Sequence, residues 1–151
     1  MQALRFAAVL AAVVLLFVMV EPLSVSAADP VEGFWTSIDE ESNEPTAYWK
    51  FTVEEGELTG VIVKLPEGDD PEALCVDCSG EYKDLPIIGT TWLHLKKQNR
   101  DGSWEDGFII DSGKGRQYRA KVWVEEGDLK VRGYVGFFHR TQTWKRVDDP
   151  R

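Results

Sequence analysis

The sequence contains few of the residues that most often carry chemistry in proteins. Its 151 residues include only two cysteines and two histidines. His94 and His139 each stand alone in the sequence, so a zinc ion would have to recruit its other ligands from elsewhere. No nucleophile with a matched base is found, and no glycine-rich phosphate loop leads into a helix. We therefore expect no catalytic group, no metal and no cofactor, and a protein that is not an enzyme.

Basic residues are outnumbered as well. The chain has 17 lysines and arginines against 26 aspartates and glutamates, which gives a net charge of -9 at pH 7. A chain of this charge repels nucleic acids and anionic lipid surfaces, so we expect no nucleic-acid partner. The acidic clusters fall in predicted turns, where solvated carboxylates are normal, and no two carboxylates stand out as an acid–base pair.

Long apolar runs are absent except near the N-terminus. Phe6 to Val20 is a run of fifteen residues without a polar side chain, preceded by Arg5 and followed by Val25-Ser26-Ala27. A charged start, an apolar middle and small residues at the end are typical of a secretory signal peptide. The run is shorter than the roughly 20 residues that span a bilayer as a helix, so a retained membrane anchor is the alternative.

We predict that residues 1–27 form a signal peptide, cleaved after Ala27 or one residue later. The mature protein would be periplasmic or secreted, with no membrane contact after cleavage. Residues 28–151 would form one domain, because their number is that of a single domain of ordinary size.

Helical periodicity is missing from residue 33 onward. Apolar and polar side chains alternate between turn residues, which is the pattern of an antiparallel all-β protein. Short connections between sequential strands indicate an up-and-down meander. About eight such strands close into a barrel that is filled by side chains or holds one small ligand; a flattened sandwich is the alternative. The predicted strands cover residues 33–38, 46–54, 58–65, 87–97, 104–111, 117–125, 129–136 and 141–147.

Aromatic side chains on these strands are the candidate ligand-binding residues. In a barrel they either fill a solid core, which a short domain needs for its stability, or line a cavity for a small apolar ligand. The alternation leaves open which face of each strand points inward. The candidates are Trp49, Phe51, Trp92, Phe108, Tyr118 and Tyr134.

The two cysteines form the sharpest local feature, Cys75-Val76-Asp77-Cys78. An exported protein with an even number of cysteines most simply pairs them. Closing a loop of about four residues would stabilise the fold by only roughly 2 kcal/mol, so the bond would mainly stiffen its own segment. A metal site and a redox or partner thiol are the alternatives.

Taken together, these features resemble a bacterial exported family known as domain of unknown function 2147. The resemblance runs from Asp29 to Arg146. The matching pieces include Gly33-Phe34-Trp35, Gly60 to Val63, Cys75 to Cys78, Lys83 to Pro86, Gly107 to Asp111, Leu129 to Gly133 and Thr141 to Arg146. It implies a periplasmic or secreted barrel of lipocalin-like shape and no particular activity. Ser112-Gly113 departs from the family, which usually has a proline there, and this concerns a turn.

The resemblance also implies how the barrel is closed. In lipocalin-like barrels a G-x-W on the first strand places a tryptophan in the floor, and a basic side chain from the last strand lies across its ring. Gly33 and Trp35 fit the first role. Arg146 is the candidate for the second, with Arg140 as the alternative, and Trp144 would close over the floor. Such a cation–π contact contributes roughly 0.5–2 kcal/mol.

Two functions follow as hypotheses. One is a barrel that binds a small hydrophobic ligand in the cell envelope. The other is an envelope protein-interaction or stress-adaptation module with a filled barrel, whose segment 66–86 forms an ordered exposed surface.

Overall fold

The structure is a computed structural model that describes residues 27–151. Eight antiparallel strands follow each other in chain order and close into a barrel, which confirms the predicted all-β up-and-down barrel over the sandwich. The predicted signal peptide lies, except for Ala27, outside the described residues. The strands are β1 (Gly33–Ile38), β2 (Pro45–Glu54), β3 (Glu57–Lys64), β4 (Thr91–Gln98), β5 (Trp104–Asp111), β6 (Arg116–Glu125), β7 (Asp128–Val135) and β8 (Phe138–Val147).

Strand register decides which side chains face the interior. Partners that lie directly opposite in an antiparallel pair share one face of the sheet. Trp35 pairs with Trp49 across β1 and β2, and with Arg146 across β1 and β8, where the barrel closes. This register turns the alternation of each strand into an apolar inner face and a more polar outer face.

The interior is densely packed in one half of the barrel. Side chains from most strands meet there and are almost completely inaccessible to solvent. Gly60 makes room for this packing, because a Cβ atom on it would lie 2.6 Å from the ring of Phe51. The buried side chains of this half include Phe51, Leu58, Leu95, Trp104, Val122 and Leu129.

Two strands, β4 and β8, begin three or more residues from their predicted starts. Ile87 and Ile88 belong to a turn, in which Gly89 adopts a φ of +92° and donates its N–H to the Ile62 carbonyl, so β4 begins only at Thr91. In contrast, β8 begins earlier, because Val135 already pairs with Phe138. The β7–β8 hairpin is therefore tight and long.

The connection between β3 and β4 folds against the outside of the barrel. It contains a short 3₁₀ helix, Gly80–Tyr82, and a bridge between Leu74 and Pro86. The Tyr82 ring lies 5.8 Å from that of Trp92 and 6.3 Å from that of Phe108, centroid to centroid. This connection therefore covers aromatic side chains on the outer face of β4 and β5.

Candidate functional site

The two ends of the barrel differ. At the closed end, Trp35 is completely buried and donates its indole N–H to the Val31 carbonyl at 2.8 Å. The Arg146 guanidinium carbon lies 4.0 Å from the centroid of the Trp35 ring, and Arg146 also donates to the carbonyls of Glu32 and Pro30. The expected contact between Trp35 and a basic side chain of the last strand is thus confirmed, with Arg146 in that role.

Gly33 and Val31 complete this closed end. Gly33 has a φ of +118°, and a Cβ atom there would lie 2.8 Å from Nη1 of Arg146, so a larger residue would displace the guanidinium. Val31, which precedes the first predicted strand, is almost fully buried. The sequence gives little indication of this burial, since Val31 is a single apolar residue just before the first strand.

The other end opens into a cavity of about 830 Å³. The ring centroids of Trp49 and Trp144 lie 4.9 Å apart in its wall, and Tyr118 also lines it. A smaller groove of about 260 Å³ lies on the outside near Trp123. The inner cavity is the candidate site because it is the larger and has apolar walls. Its lining on the inner faces of the strands includes Ala47, Trp49, Ile62, Val131, Gly133, Gln142 and Trp144, most of which also belong to the buried core.

The indole N–H groups of the cavity wall are already paired. Trp49 donates to the Ser37 hydroxyl at 3.1 Å, and Trp144 donates to the Gln142 side-chain oxygen at 3.0 Å. These bonds fix the two rings and satisfy donors that would be costly to bury unpaired. The wall therefore offers a ligand mainly aromatic and aliphatic carbon.

Charged side chains surround the mouth of the cavity. Arg140 bonds to Glu40 at 2.5 Å, which raises the pKa of Arg140 and joins β8 to the β1–β2 turn. Hydrogen bonds from the backbone N–H groups of Ser42 and Glu41, and from the Ser42 hydroxyl, lower the pKa of Asp39. Both shifts favour the charged forms of Asp39 and Arg140.

The predicted ligand residues separate into two groups. Trp49 and Tyr118 line the cavity. Phe51 lies in the packed half and contacts Trp144 edge to face at 6.1 Å. The structure does not place Trp92 or Phe108 in the cavity, since both lie under Tyr82 on the outer face.

Tyr134 also lies outside the cavity, with Arg119 at 5.5 Å from its ring. Strand parity explains this, because its neighbour Gly133 faces inward. Trp144 differs from its expected role as well: it belongs to the cavity wall rather than the floor. Trp144 lies two residues before Arg146 on β8, and residues two apart share a face of the strand. The Trp144 side chain therefore points into the barrel at the next position away from the closed end.

Several cavity residues were missed by the sequence interpretation, although parity could have found them. Ala47 lies two residues before Trp49, and Gln142 lies two residues before Trp144. Residues two apart on a strand share a face. Ala47 and Gln142 were missed because the candidates were chosen among aromatic residues, and these positions hold small or polar ones.

The cysteines form the predicted disulfide, Cys75–Cys78. Its segment rests on the β5–β6 turn beside the cavity mouth, where Sγ of Cys75 lies 3.2 Å from the carbonyl oxygen of Ser112. His94 bonds to Glu57 at 2.5 Å on the outer face. Among residues 27–151, no three or more His, Cys, Asp or Glu side chains are grouped as a metal site would require.

A closed eight-stranded barrel with one plugged end and an internal cavity at the other has the architecture of a lipocalin. The solved structure of protein HP1028 from the human pathogen Helicobacter pylori, described as belonging to the lipocalin family, matches with a TM-score of 0.66. The match covers 78% of this chain and 83% of that one at 18% identity, which establishes the fold alone. Residues 33–146 match the family described as "Uncharacterized protein conserved in bacteria (DUF2147)", and the chain belongs to that family.

A search of curated proteins finds no match to the sequence. Over residues 27–151, no helix has the length and apolar character required to cross a membrane.

Proposed function

We propose that the protein is exported to the cell envelope and binds one small apolar ligand inside its barrel. The carrying observation is the cavity of about 830 Å³, open at one end and walled by Trp49, Tyr118 and Trp144. Sites for small molecules typically measure roughly 300–1,000 Å³ and have mostly apolar walls with few polar groups. The signal-peptide pattern predicted from residues 1–27 supports export. We propose binding rather than catalysis, because the wall offers a ligand mainly aromatic and aliphatic carbon.

A blocking substitution tests this function. A Cβ atom on Gly133 would lie 3.5 Å from Tyr118, an ordinary contact, so Gly133→Leu should fit and fill part of the cavity. We expect tryptophan fluorescence of the native protein to shift on titration with alkyl-chain ligands. In Gly133→Leu the affinity should fall at least roughly tenfold, about 1.4 kcal/mol, while the far-ultraviolet circular dichroism is unchanged.

Lys96→Leu is the matched control, since Lys96 is exposed near the end of β4 and the substitution adds the same side chain away from the cavity. It should bind like the native protein. Equal binding by Gly133→Leu would place the ligand elsewhere. If no ligand shifts the fluorescence and native mass spectrometry of envelope-purified protein shows no added mass, the proposal fails.

A second candidate function is the interaction module. This hypothesis expects a filled barrel, and the half of the barrel that holds the cavity is not filled. Its supporting observation is the tip of the β7–β8 hairpin, where Phe137 is fully exposed and Phe138 is 81% exposed. Exposed apolar patches mark interaction sites in many soluble proteins. A photo-crosslinking residue at position 137 should then capture one partner in the native envelope, and the same probe at position 96 should not.

A further inference from the structure

The rim of the cavity carries an excess of negative charge. Five carboxylates and two permanent cations, Lys114 and Arg140, line it together with His139. Arg140 is neutralised by Glu40 at 2.5 Å, and Lys114 lies 3.8 Å from Asp111. The carboxylates of the rim are Asp39, Glu40, Asp69, Asp70 and Asp111.

Three carboxylates remain after these pairs are counted: Asp39, Asp69 and Asp70. In the described part of the chain, no lysine or arginine lies within 4.0 Å of them. Asp69 and Asp70 project from the β3–β4 connection, and Asp39 from the β1–β2 turn, so negative charge reaches the mouth from two separate elements.

Arg140 lies opposite Gly133 but is paired with Glu40, and the described residues that line the cavity closer to the closed end than Arg140 include no cation that could compensate a buried anion. The lining there is aromatic, aliphatic or neutral and polar. The charged lining residues lie at the mouth, either on turns and connections or, for Asp111, His139 and Arg140, at the ends of β5 and β8. A carboxylate that entered with its charge first would lose its hydration without gaining a cation. One that remained at the mouth would meet the three aspartates.

We propose that the cavity selects amphiphiles with a cationic or neutral polar end and discriminates against alkyl carboxylates. The alkyl chain would lie between Trp49 and Tyr118, and the polar end would remain at the rim near Asp69 and Asp70. This inference rests on the proposed function, since it assumes that the cavity is the ligand site. Its distinct content is the sign of charge that the site accepts.

Three ligands with one chain length test the selection: dodecyltrimethylammonium, dodecanol and dodecanoate. Each is titrated below its micellar concentration at pH 7 and low salt, with tryptophan fluorescence as the readout. We expect the cation to bind at least roughly tenfold more tightly than the carboxylate, with dodecanol between them. Because ions screen exposed charges, high salt should narrow the difference.

The double variant Asp69→Asn and Asp70→Asn should also narrow the difference in affinity between the cation and the carboxylate. The matched control is the double variant Glu54→Gln and Glu55→Gln, which makes the same change of charge at the end of β2 and in the β2–β3 turn, at the closed end. It should leave the difference in affinity intact. Equal or tighter binding of dodecanoate by the native protein overturns the inference and leaves the proposed function standing. Absence of binding by all three ligands overturns both.

Discussion

At the scale of single residues, the role of each buried tryptophan follows from the hydrogen-bond partner of its indole N–H. Trp35 donates to the Val31 carbonyl and supports the closed end. Trp92 donates to the Ile87 carbonyl and holds the turn before β4. Trp104 is the exception: it is buried, and its Nε1 has no hydrogen-bond partner among the described residues. An unpaired buried donor costs about 1–3 kcal/mol.

This difference predicts unequal costs for the same substitution. Trp104→Phe removes bulk from the core but also removes the unpaired donor, so the two effects oppose each other. Trp35→Phe leaves the Val31 carbonyl without its donor and weakens the contact with Arg146. We expect Trp35→Phe to lower the free energy of unfolding by about 1–3 kcal/mol more than Trp104→Phe, as measured by urea denaturation.

Each variant is the other's control, because both delete the same atoms from a fully buried indole. Circular dichroism should show that both remain folded. Equal losses of stability would contradict the prediction and would mean that volume alone determines the cost at both positions.

At the scale of elements, the β3–β4 connection is fixed by its contact with the β5–β6 turn. Gly115 lies at this contact with a φ of +62°, and a Cβ atom on it would lie 1.9 Å from the Asp77 carbonyl oxygen. Asp77 lies within the disulfide loop, and the same connection supplies Asp69 and Asp70 to the rim of the cavity. On the side of the connection, the contact is formed by the small ring that the disulfide closes. On the side of the β5–β6 turn, the absence of a Cβ atom on Gly115 lets the two segments approach.

Gly115→Ala should therefore displace the connection. Strain in the left-handed backbone alone costs about 1–3 kcal/mol, and the steric clash adds to it. We expect a lower unfolding midpoint and faster proteolysis within residues 66–89. Gly113→Ala in the same turn is the control: its Cβ atom would lie 3.4 Å from Asp111 and its φ is not left-handed. Similar proteolysis of both variants would disprove the role of Gly115.

The limits of sequence interpretation are clearest at this scale. β1 and β5 were predicted at their observed bounds because turn residues interrupt a clear alternation on both sides. The predicted start of β4 was wrong, since Ile87 and Ile88 belong to an apolar run that tertiary contacts bend into a turn. The bend is shown by the positive φ of Gly89 and by its hydrogen bond to β3.

At the scale of the whole molecule, the sequence predicted the barrel but not how its interior is divided. Closure follows from the number of strands and the short turns. The cavity depends instead on small side chains at inward positions, such as Ala47 and Gly133. The aromatic signal pointed to Trp92, Phe108 and Tyr134, which lie on outer faces, because a large aromatic residue is favoured on either face of a strand.

The division of the interior also predicts how the barrel moves. Its closed half is packed by side chains such as Trp35, Leu58 and Leu95, whereas the half at the mouth surrounds an open cavity. Local opening is easier where few apolar contacts must be broken. Amide hydrogens near Ala47 and Gly133 should therefore exchange faster than those near Leu58 and Leu95 in hydrogen-exchange mass spectrometry of the free protein.

A bound ligand should reverse part of this asymmetry. At a free concentration of dodecyltrimethylammonium 100 times its dissociation constant, the protein should gain about 2.7 kcal/mol of stability. Because the ligand fills only the open half, the slowing of exchange should be greatest near Ala47 and Gly133. In Gly133→Leu, where the leucine fills part of the cavity, exchange near these residues should be slow even without ligand. Equal slowing near Leu58 and Leu95 would indicate that the barrel opens as one unit, so that protection reports global unfolding rather than contacts in the cavity.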